Sequence, residues 1–458
     1  MSDLFASLDS FNNISPIDGR YYDKVELTRT HFTEASLIKS RIEVEIEYVI
    51  FLGEVLQFPK QLQEFWEKGR NFHITIDEIK RVKKIEEDIH HDVKAVEIFL
   101  REKYTEILPE TIDIGVLEWI HFGLTSQDVN HLAFIKIYKK YITQLIQEWE
   151  TWTMTLTEIG QKWDVFDMLA HTHGQPATPT TLGHEMMVFV ERWEIIIERL
   201  KSIVWRVKFG GATGGLHAHK HVFPDINWNG VMDTFIKNQG FVRQQWTTQI
   251  DHYDHLCESF DCLARLATVG IDFCRDIWSY ISLDYLELQK ISKNQVGSST
   301  MPHKINPIHF EQAEGNLMLA VNLFQFFSRK LPISRLQRDL TDSTVSRNIG
   351  VAMGHLELSL KSIRRGFKQL QPRQSSIEYD LEKHPEIWGE IVQTYLRACG
   401  YTQPYQLLRT KLQGVTDKNE IRKVLRTIID ESDESQIKRP QGLVEREKLL
   451  KILPKNLS

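Results

Sequence analysis

The stretch LCESFDCLARLATVGIDFCRDIWSYI, residues 256–281, decides the fold class. Its apolar or small residues recur in steps of three, four or seven, at Leu256, Phe260, Leu263, Ala267, Cys274, Trp278 and Ile281. Residues at these spacings share one face of an α-helix, so the stretch predicts a long amphipathic helix. Two similar stripes run from Met186 to Val204 and from Ile349 to Leu370. Because strand-like alternation is scarce, we expect an all-α fold.

Long helices with such a repeat pack side by side at small crossing angles. Their second face is often covered by another subunit, so we expect a homo-oligomer. Breaks in the helical pattern lie near residues 109–115 and 371–376. They divide the chain into an N-terminal helical domain (1–115), a central long-helix bundle (116–370) and a C-terminal helical domain (371–458).

The composition is that of an ordinary globular protein. The 458 residues carry a formal net charge of −6, and 41% are hydrophobic. Without a Lys/Arg-rich run, nothing favours binding to nucleic acid or to a membrane surface. The four cysteines lack metal-ligand spacing and are too few for a disulfide framework, which indicates a reducing compartment. With no secretory signal and no apolar run of bilayer length, we expect a cytoplasmic protein.

Residues 289–310, QKISKNQVGSSTMPHKINPIHF, separate two helical patterns and have no period of their own. Irregular stretches this long inside a compact domain are usually functional or disordered. Pro307 suits the first position of the next helix, whose free N–H groups would attract an anion. The stretch therefore predicts a mobile carboxylate-binding loop, with a surface linker as the alternative. Its candidate residues are Gly297, Ser298, Ser299, Lys304 and Asn306.

A second candidate is AHTHGQPATPTT, residues 170–181. Gly174 and Pro176 interrupt any helix here, and Thr178–Pro179 has the form of a helix start. His173 is therefore predicted to lie in a turn that leads into a helix. A histidine side chain titrates near neutral pH and can serve as a general acid. A purely structural histidine is the alternative.

Two further candidates are short polar stretches. In IHHDVKAVE, residues 89–97, Asp92 can orient the imidazole of the adjacent His91, and an ordinary polar helix face is the alternative. TSQD, residues 125–128, has the form of a capping box and predicts a helix N-terminus. A plain cap without further function is the alternative there.

The stretch SRLQRDLTDSTVSRN, residues 334–348, combines arginines with hydroxyl side chains. Guanidinium groups bind carboxylate or phosphate through paired hydrogen bonds, which predicts an anion-binding strip. The opposing interpretation is a solvated charged helix face, in which Asp339 and Asp342 neutralise the arginines. The residues of the predicted strip are Arg335, Arg338, Ser343, Thr344 and Arg347.

Glycines and histidines between residues 210 and 221 suggest two other kinds of site. The glycine-rich loop at 210–215 is followed by no Gly-Lys-Ser/Thr, so it is not a phosphate loop. His217, His219 and His221 would share one face of an extended segment and could bind zinc there. Because no acidic general base stands at a recognised spacing, a zinc-dependent hydrolase is kept only as an alternative.

The segment GSSTMPHKINP, residues 297–307, resembles the signature loop of the fumarase/aspartase superfamily, whose members eliminate fumarate from a substituted succinate. Four other segments are similar to the adenylosuccinate lyase family within it, in the form found in enteric bacteria. They are SPIDGRY (15–21), HDVKAVE (91–97), THGQPATPTT (172–181) and RDLTDSTVSRN (338–348). The resemblance extends from about Ser15 nearly to the C-terminus.

This resemblance implies cleavage of adenylosuccinate into AMP and fumarate, and of the succinylated aminoimidazole carboxamide ribotide (SAICAR) into AICAR. It also implies a three-domain all-α chain and a homotetramer with active sites shared between subunits. No cofactor and no metal are implied. Argininosuccinate lyase is the nearest alternative, and a non-catalytic helical scaffold is a third interpretation.

The resemblance also assigns roles to residues. Ser298 matches the catalytic base, His173 the general acid, and His91 a second active-site histidine. The other matched positions bind substrate: Arg20 and Tyr21 at the phosphate end; His90 and Asp92 beside His91; Thr125, Ser126, Ser299, Lys304 and Asn306 around the carboxylates; Gln249; and Arg338, Ser343, Thr344 and Arg347 along the nucleotide.

Three positions depart from the family pattern. Residues 214–219 read Gly-Gly-Leu-His-Ala-His where the family usually has Gly-Asn-Tyr-Asn-Ala-His, so the amide side chains of the family pattern are missing there. His90 and Gln312 stand where an Asn is expected. None of these changes removes a proposed catalytic group.

Overall fold

The computed structural model describes residues 13–289, 301, 304–432 and 441–452. Helices dominate these residues, which confirms the all-α prediction. In chain order they are α1 (Glu26–His31), α2 (Glu34–Val55), α3 (Lys60–Glu67), α4 (Ile76–Ile89), α5 (Asp92–Glu106), α6 (Ser126–Trp163), α7 (Leu182–Ser202), α8 (His217–Val222), α9 (Trp228–Asn238), α10 (Asp254–Ser282), α11 (Ile308–Lys330), α12 (Thr341–Ser346), α13 (Ile349–Phe367), α14 (Gln374–Lys383), α15 (Gly389–Ala398), α16 (Pro404–Leu412), α17 (Lys418–Asp430) and α18 (Arg446–Ile452).

Short strands in the described residues pair into two-stranded sheets. An antiparallel hairpin joins β1 (Asp167–Thr172) to β2 (Gln175–Thr181). A parallel pair is formed by β3 (Arg206–Val207) and β4 (Val242–Arg243), and an antiparallel pair by β5 (Leu286–Leu288) and β6 (Leu370–Pro372). Each strand of these pairs therefore has one edge without a strand partner among the described residues.

The described residues fall into two compact units. Unit 1 is drawn from the chain up to Trp152, from Trp193 to Arg275 and from Ile308 to Gly366. Unit 2 is drawn from Thr153 to Arg192, from Asp276 to Pro307 and from Phe367 onward. The expected domains 1–115, 116–370 and 371–458 are sequence segments and not compact units, so that division stays a prediction.

In unit 1, the N-terminal helices α2 to α5 share one apolar core. A capping box starts α4, with Thr75 Oγ1 accepting from the Glu78 N–H and Glu78 Oε2 accepting from the Thr75 N–H. Phe65, Trp66 and Tyr104 pack as an aromatic cluster in this core. The apolar faces of four helices thus cover each other and fix the α4–α5 connection, which carries His90 and His91.

The long helices of unit 1 are joined by buried aromatic residues. Trp149 on α6 packs against Trp193 on α7, with ring centroids 5.4 Å apart. The Trp193 indole N–H donates to the Leu266 carbonyl on α10 at 3.2 Å. Phe260 on α10 stacks on Phe324 of α11. Large rings thus join successive helices, and the buried Trp193 indole satisfies its polar atom with a backbone carbonyl.

Unit 2 contains the β1–β2 hairpin, β5–β6 and the C-terminal helices. Helices α15, α16 and α17 bury a common core that includes Val392, Leu396, Leu425 and Ile429. Asp417 caps α17 by accepting the backbone N–H of Glu420 at 2.9 Å. The short, charged C-terminal helices therefore share an apolar core.

The three sequence stripes lie on α7, α10 and α13, as predicted. Two of the three stripes run past the end of their helix, because periodicity alone does not mark a terminus. Val204 lies beyond α7 and is 52% exposed, while Leu370 belongs to β6. In the described part of the chain, none of the helices combines the length and the apolar character that a membrane-spanning helix needs.

Candidate active site

His91 presents an N–H donor at the start of α5. Its Nδ1 accepts the backbone N–H of Lys94 at 3.1 Å, so the neutral ring carries its proton on Nε2. Nε2 lies 3.4 Å from Ser126 Oγ. The preceding His90 is exposed and has a φ of 54°, which makes the sharp turn between α4 and α5. The predicted residues His91 and Ser126 are thereby brought together.

Asp92 lies between two arginines. Its Oδ2 is 2.7 Å from Nη2 of Arg41 and 3.9 Å from Nη2 of Arg347, while Oδ1 accepts the Val93 N–H. Burial raises the pKa of Asp92, but Arg41, the Val93 N–H and Arg347 outweigh burial and hold it below its usual value. The carboxylate is therefore ionised. Sequence reasoning missed Arg41, because it stands within the regular helix α2 and belongs to no motif.

Thr125 precedes the first residue of α6, as the TSQD pattern predicts, and its N–H donates to Asp128 Oδ2 at 2.8 Å. The carboxylate of Asp128 also binds Nζ of Lys208 and the N–H groups of Gly210 and Gly211. The N–H groups of the glycine-rich loop thus bind an anion, and that anion is the carboxylate of Asp128 in the same chain. Neither the role of Lys208 nor this use of the loop was predicted.

The same loop connects the Thr125 turn to two more predicted residues. Gln249 donates from Nε2 to the Ala212 carbonyl at 3.1 Å, and Arg338 Nη1 donates to Gln249 Oε1 at 3.3 Å. Gln249 and Arg338, which lie far apart in sequence, therefore meet beside the loop. Polar residues from four distant segments surround one region of unit 1.

The aspartates of the arginine-rich strip neutralise Arg335 but are not paired with Arg338 or Arg347 among the described contacts. Asp339 pairs with Arg335 at 3.3 Å, and Asp342 accepts the Tyr253 hydroxyl at 2.8 Å. Arg338 and Arg347 thus keep the charge that the alternative interpretation would have cancelled. Ser343 and Thr344 lie on α12 just before Arg347.

A cavity of about 300 Å³ adjoins this strip. Its wall includes Arg41, Asp92, Ser343 and Arg347 together with the aromatic rings of Phe32, Phe134 and Tyr253. The site therefore has a polar mouth and a partly apolar interior, the usual make-up of a small-molecule pocket.

Arg20 and Tyr21 lie in a turn at the start of the described chain. The Tyr21 N–H donates to the Pro16 carbonyl at 2.8 Å, and Arg20 is exposed. Tyr21 packs on a small cluster that includes Leu358 of α13. The turn is thus held against the helix that follows Arg347.

His173 stands at the tip of the β1–β2 hairpin in unit 2. His173 and Gly174 have φ values of 54° and 72°, as a two-residue hairpin turn requires. Both are exposed. The predicted helix start at Thr178–Pro179 is wrong, because those residues lie in β2 and α7 begins at Leu182. The free strand edge tolerates a proline, which the sequence pattern did not reveal.

The region of the signature loop is described only at its end. Gly297, Ser298 and Ser299 lie outside the described residues. Lys304 is exposed, and its N–H donates to the Met301 carbonyl at 3.1 Å. Helix α11 begins at Ile308, one residue later than predicted, so Asn306 and Pro307 precede its N-terminus.

The three histidines of the zinc alternative do not share one face. Residues 217–222 are helical, and His219 is buried with Nε2 2.8 Å from the Tyr48 hydroxyl. His217 and His221 are exposed. An extended segment would have put the three rings on one face, whereas the helix separates the middle ring from the other two.

A different group, His131, Asp251 and His255, is buried with its possible ligand atoms within 4.8 Å of one another. His131 Nδ1 accepts the Lys208 N–H at 3.1 Å, so its Nε2 carries the proton that faces Asp251 Oδ2 at 3.2 Å. A protonated nitrogen has no lone pair for a metal. His131 and Asp251 are therefore explained as a buried contact within the fold, and neither ring nitrogen of His255 has a hydrogen-bond partner in the described part of the chain.

Comparisons with known proteins identify the family. The family model described as "Lyase" matches residues 19–321, and the one described as "Adenylosuccinate lyase C-terminal" matches residues 334–443. The adenylosuccinate lyase of Dictyostelium discoideum is 44% identical, with 92% of each chain covered. The adenylosuccinate lyase of Escherichia coli K12 is 38% identical, over 89% of this chain and 90% of that one.

Solved structures with low sequence identity share the fold. A β-carboxy-cis,cis-muconate cycloisomerase from Acinetobacter calcoaceticus matches with a TM-score of 0.71 at 15% identity, covering 95% of both chains. A fumarate lyase from Mesorhizobium matches with a TM-score of 0.71 at 18% identity, over 93% of this chain and 92% of that one. The overall helical architecture thus extends well beyond close relatives.

Proposed function

The chain belongs to the adenylosuccinate lyase family, and we propose that it eliminates fumarate from adenylosuccinate to leave AMP. The observation that carries the proposal is the 44% identity with the Dictyostelium adenylosuccinate lyase over 92% of the chain. The convergence of His91, Ser126, Gln249 and Arg338 around one loop supports it. The same chemistry extends to SAICAR, which would yield AICAR and fumarate.

The reaction removes a proton from the succinyl β-carbon and breaks the bond from the neighbouring carbon to nitrogen. In the proposal, Ser298 accepts the proton, and the electron pair forms the double bond of fumarate. His173 gives a proton to the departing nitrogen, which becomes the amino group of AMP. Lys304 and the N-terminus of α11 stabilise negative charge on the carboxylate beside the carbanion.

Binding is divided between two ends of the substrate. Fixed N–H and O–H donors suit carboxylates, which assigns the succinyl end to Thr125, Ser126, Ser299, Lys304 and Asn306. Because its tautomer is set by the Lys94 N–H, His91 acts there as a donor and not as a base. The nucleotide end is assigned to Arg20, Tyr21, Arg338, Ser343, Thr344 and Arg347. His90 and Asp92 belong to the binding strip around His91, and Gln249 is a further substrate-binding residue.

The test is the ultraviolet absorbance change when purified protein meets adenylosuccinate, with and without a chelator. We expect AMP and fumarate to form in equal amounts, at a rate that the chelator does not change. No change on adenylosuccinate, with turnover of argininosuccinate, would reassign the chain to a sibling lyase. A chelator-sensitive rate would contradict the tautomer argument at His131 and return a metal to consideration.

We also propose a cytoplasmic homotetramer with shared active sites, built from domains 1–115, 116–370 and 371–458. Exposed apolar side chains on α11 support a contact with a second copy of the chain. Met318, Leu319 and Phe326 are each about half exposed. An apolar strip of this kind on a long helix usually marks an interface. Light scattering should give about four times the 53.7 kDa chain mass, and a monomer would contradict the proposal.

A further inference from the structure

Arg41 lies behind the nucleotide-binding strip and forms part of no assigned function. The residue is 6% exposed, and its Nη2 donates to Asp92 Oδ2 at 2.7 Å. Its Nε donates to Asn130 Oδ1, also at 2.7 Å. Two directed hydrogen bonds from one guanidinium fix the orientation of this side chain with respect to Asp92.

Asp92 contacts both Arg41 and Arg347. The Arg347 Nη2 lies 3.9 Å from the same oxygen, Oδ2, that Arg41 binds, and Arg347 is largely exposed. The contact with Arg41 is thus close and directional, while that with Arg347 is long. One carboxylate and two guanidiniums leave a net charge of +1, which resides on the exposed arginine.

We infer that Arg41 is a positioning residue that occupies Asp92 and so keeps Arg347 available for the phosphate-bearing end of the nucleotide. The inference rests on the proposed function. It explains how the nucleotide site of that function keeps its positive charge. Without Arg41, the nearest cation to Asp92 Oδ2 would be Arg347, and closing the 3.9 Å gap would form the charged hydrogen bond internally. An incoming phosphate would then have to break that pair.

The experiment is a double-mutant cycle read by AMP affinity, measured by calorimetry on the full-length protein. Arg41→Gln removes the charge but keeps a hydrogen-bonding side chain. It should weaken AMP binding about 10-fold, the lower limit for loss of a charged hydrogen bond. Arg347→Gln should weaken AMP binding at least as much. Adding Arg41→Gln to Arg347→Gln should cause less than about a 2-fold further change, because no arginine remains to be captured.

Two comparisons separate this role from a structural one. Arg81→Gln removes a positive charge from the same unit, at a side chain that is 47% exposed and paired with Glu102, and should leave AMP affinity unchanged. Arg41→Gln should raise the KM for adenylosuccinate with little change in kcat, and in the reverse reaction it should leave the KM for fumarate unchanged. If the glutamine variant does not fold, Arg41→Met supplies the same neutralisation.

Equal weakening by Arg41→Gln in the wild-type and Arg347→Gln backgrounds would overturn the inference. So would an AMP affinity that Arg41→Gln leaves unchanged. Failure of the wild-type protein to bind AMP or cleave adenylosuccinate would instead contradict the proposed function itself. Wild-type turnover with an additive cycle would spare the function and reject the role of Arg41.

Discussion

Asp128 and Lys208 form an ion pair in which neither side chain reaches solvent, with Oδ1 2.7 Å from Nζ. Lys208 also donates to the Gly211 carbonyl, and Asp128 accepts the N–H groups of Thr125, Gly210 and Gly211. Burial lowers the pKa of Lys208, and Asp128 opposes that shift. The pair therefore ties the Thr125 turn to the glycine-rich loop.

Removing one partner of this pair should be strongly destabilising. Asp128→Ala leaves a buried ammonium and three backbone N–H groups without their acceptor, so we expect a loss of about 3–5 kcal/mol in the free energy of unfolding. Urea denaturation measures it. Asp128→Asn keeps an acceptor of the same shape and should lose less. An alanine variant within about 1 kcal/mol of wild type would show that the pair is not an anchor.

Acid should destabilise the protein through His255. Burial lowers the pKa of His255 to about 4, against about 6.5 in an unfolded chain. Between these values the unfolded chain binds more protons, so the stabilisation is fully present above about pH 6.5 and is lost as the pH falls toward 4. The loss attributable to this group is at most about 3 kcal/mol.

Unfolding free energies from neutral pH down to about pH 4.5 test this linkage. His255→Asn should flatten the profile, whereas His221→Asn, at an exposed position, should leave its slope unchanged. An unchanged slope in the His255 variant would mean that other groups cause the acid sensitivity.

A side chain at position 214 should be destabilising because of a steric clash as well as the positive φ of Gly214. Its φ is +80°, and a Cβ there would lie 2.1 Å from the Thr247 carbonyl oxygen. Gly414 has a φ of +78° but nothing within 4 Å of its Cβ position. Gly414→Ala should therefore lose about 1–2 kcal/mol from backbone strain alone, and Gly214→Ala roughly 2 kcal/mol more. Equal losses in thermal or urea unfolding would show that the loop simply moves aside.

His173→Gln should abolish most turnover while leaving the fold intact. Loss of a general acid reduces the rate by about 10²–10⁴-fold, and the exposed position predicts an unchanged melting temperature. His171→Gln, on the neighbouring β1 residue, is the matched control and should keep near-normal kcat. A His173 variant with normal kcat would remove this residue from the proposed mechanism.

Shared active sites make a separate prediction. Ser298→Ala and His173→Gln should each be inactive, but mixing the two after mild denaturation and reassembly should restore part of the activity. Restoration requires that one site take these residues from different subunits. Persistent inactivity in a properly reassembled mixture would indicate that each chain supplies its own pair.

The sequence predicted long helices well because each stripe is repeated over many turns, as on α10. It failed at Thr178–Pro179, where local helix-start chemistry competes with strand pairing to β1. The zinc alternative assumed an extended form for residues 217–221, since three alternating histidines cannot distinguish a strand from a short helix. These errors occur where tertiary contacts, and not local preference, select the conformation.

The candidate site was predictable only where a motif carries it. His91, Ser126 and Gln249 were found through resemblance, and the structure supplies their contacts. Arg41, Lys208 and the buried His131–Asp251–His255 cluster were missed, because each depends on a partner more than fifty residues away in the chain. Nothing local to Arg41 distinguishes it from other arginines on long helices.

The two-residue turn that carries His173 limits how this region can vary. In a hairpin, a shift of one residue moves side chains to the opposite face. An insertion in β1 or β2 would therefore turn the tip away from its present direction, whereas many exchanges along the strands would leave the tip in place. Functional variants of this chain should accordingly differ in the residues of the hairpin while keeping its length, and insertions should be tolerated instead in the loops that follow the C-terminal helices.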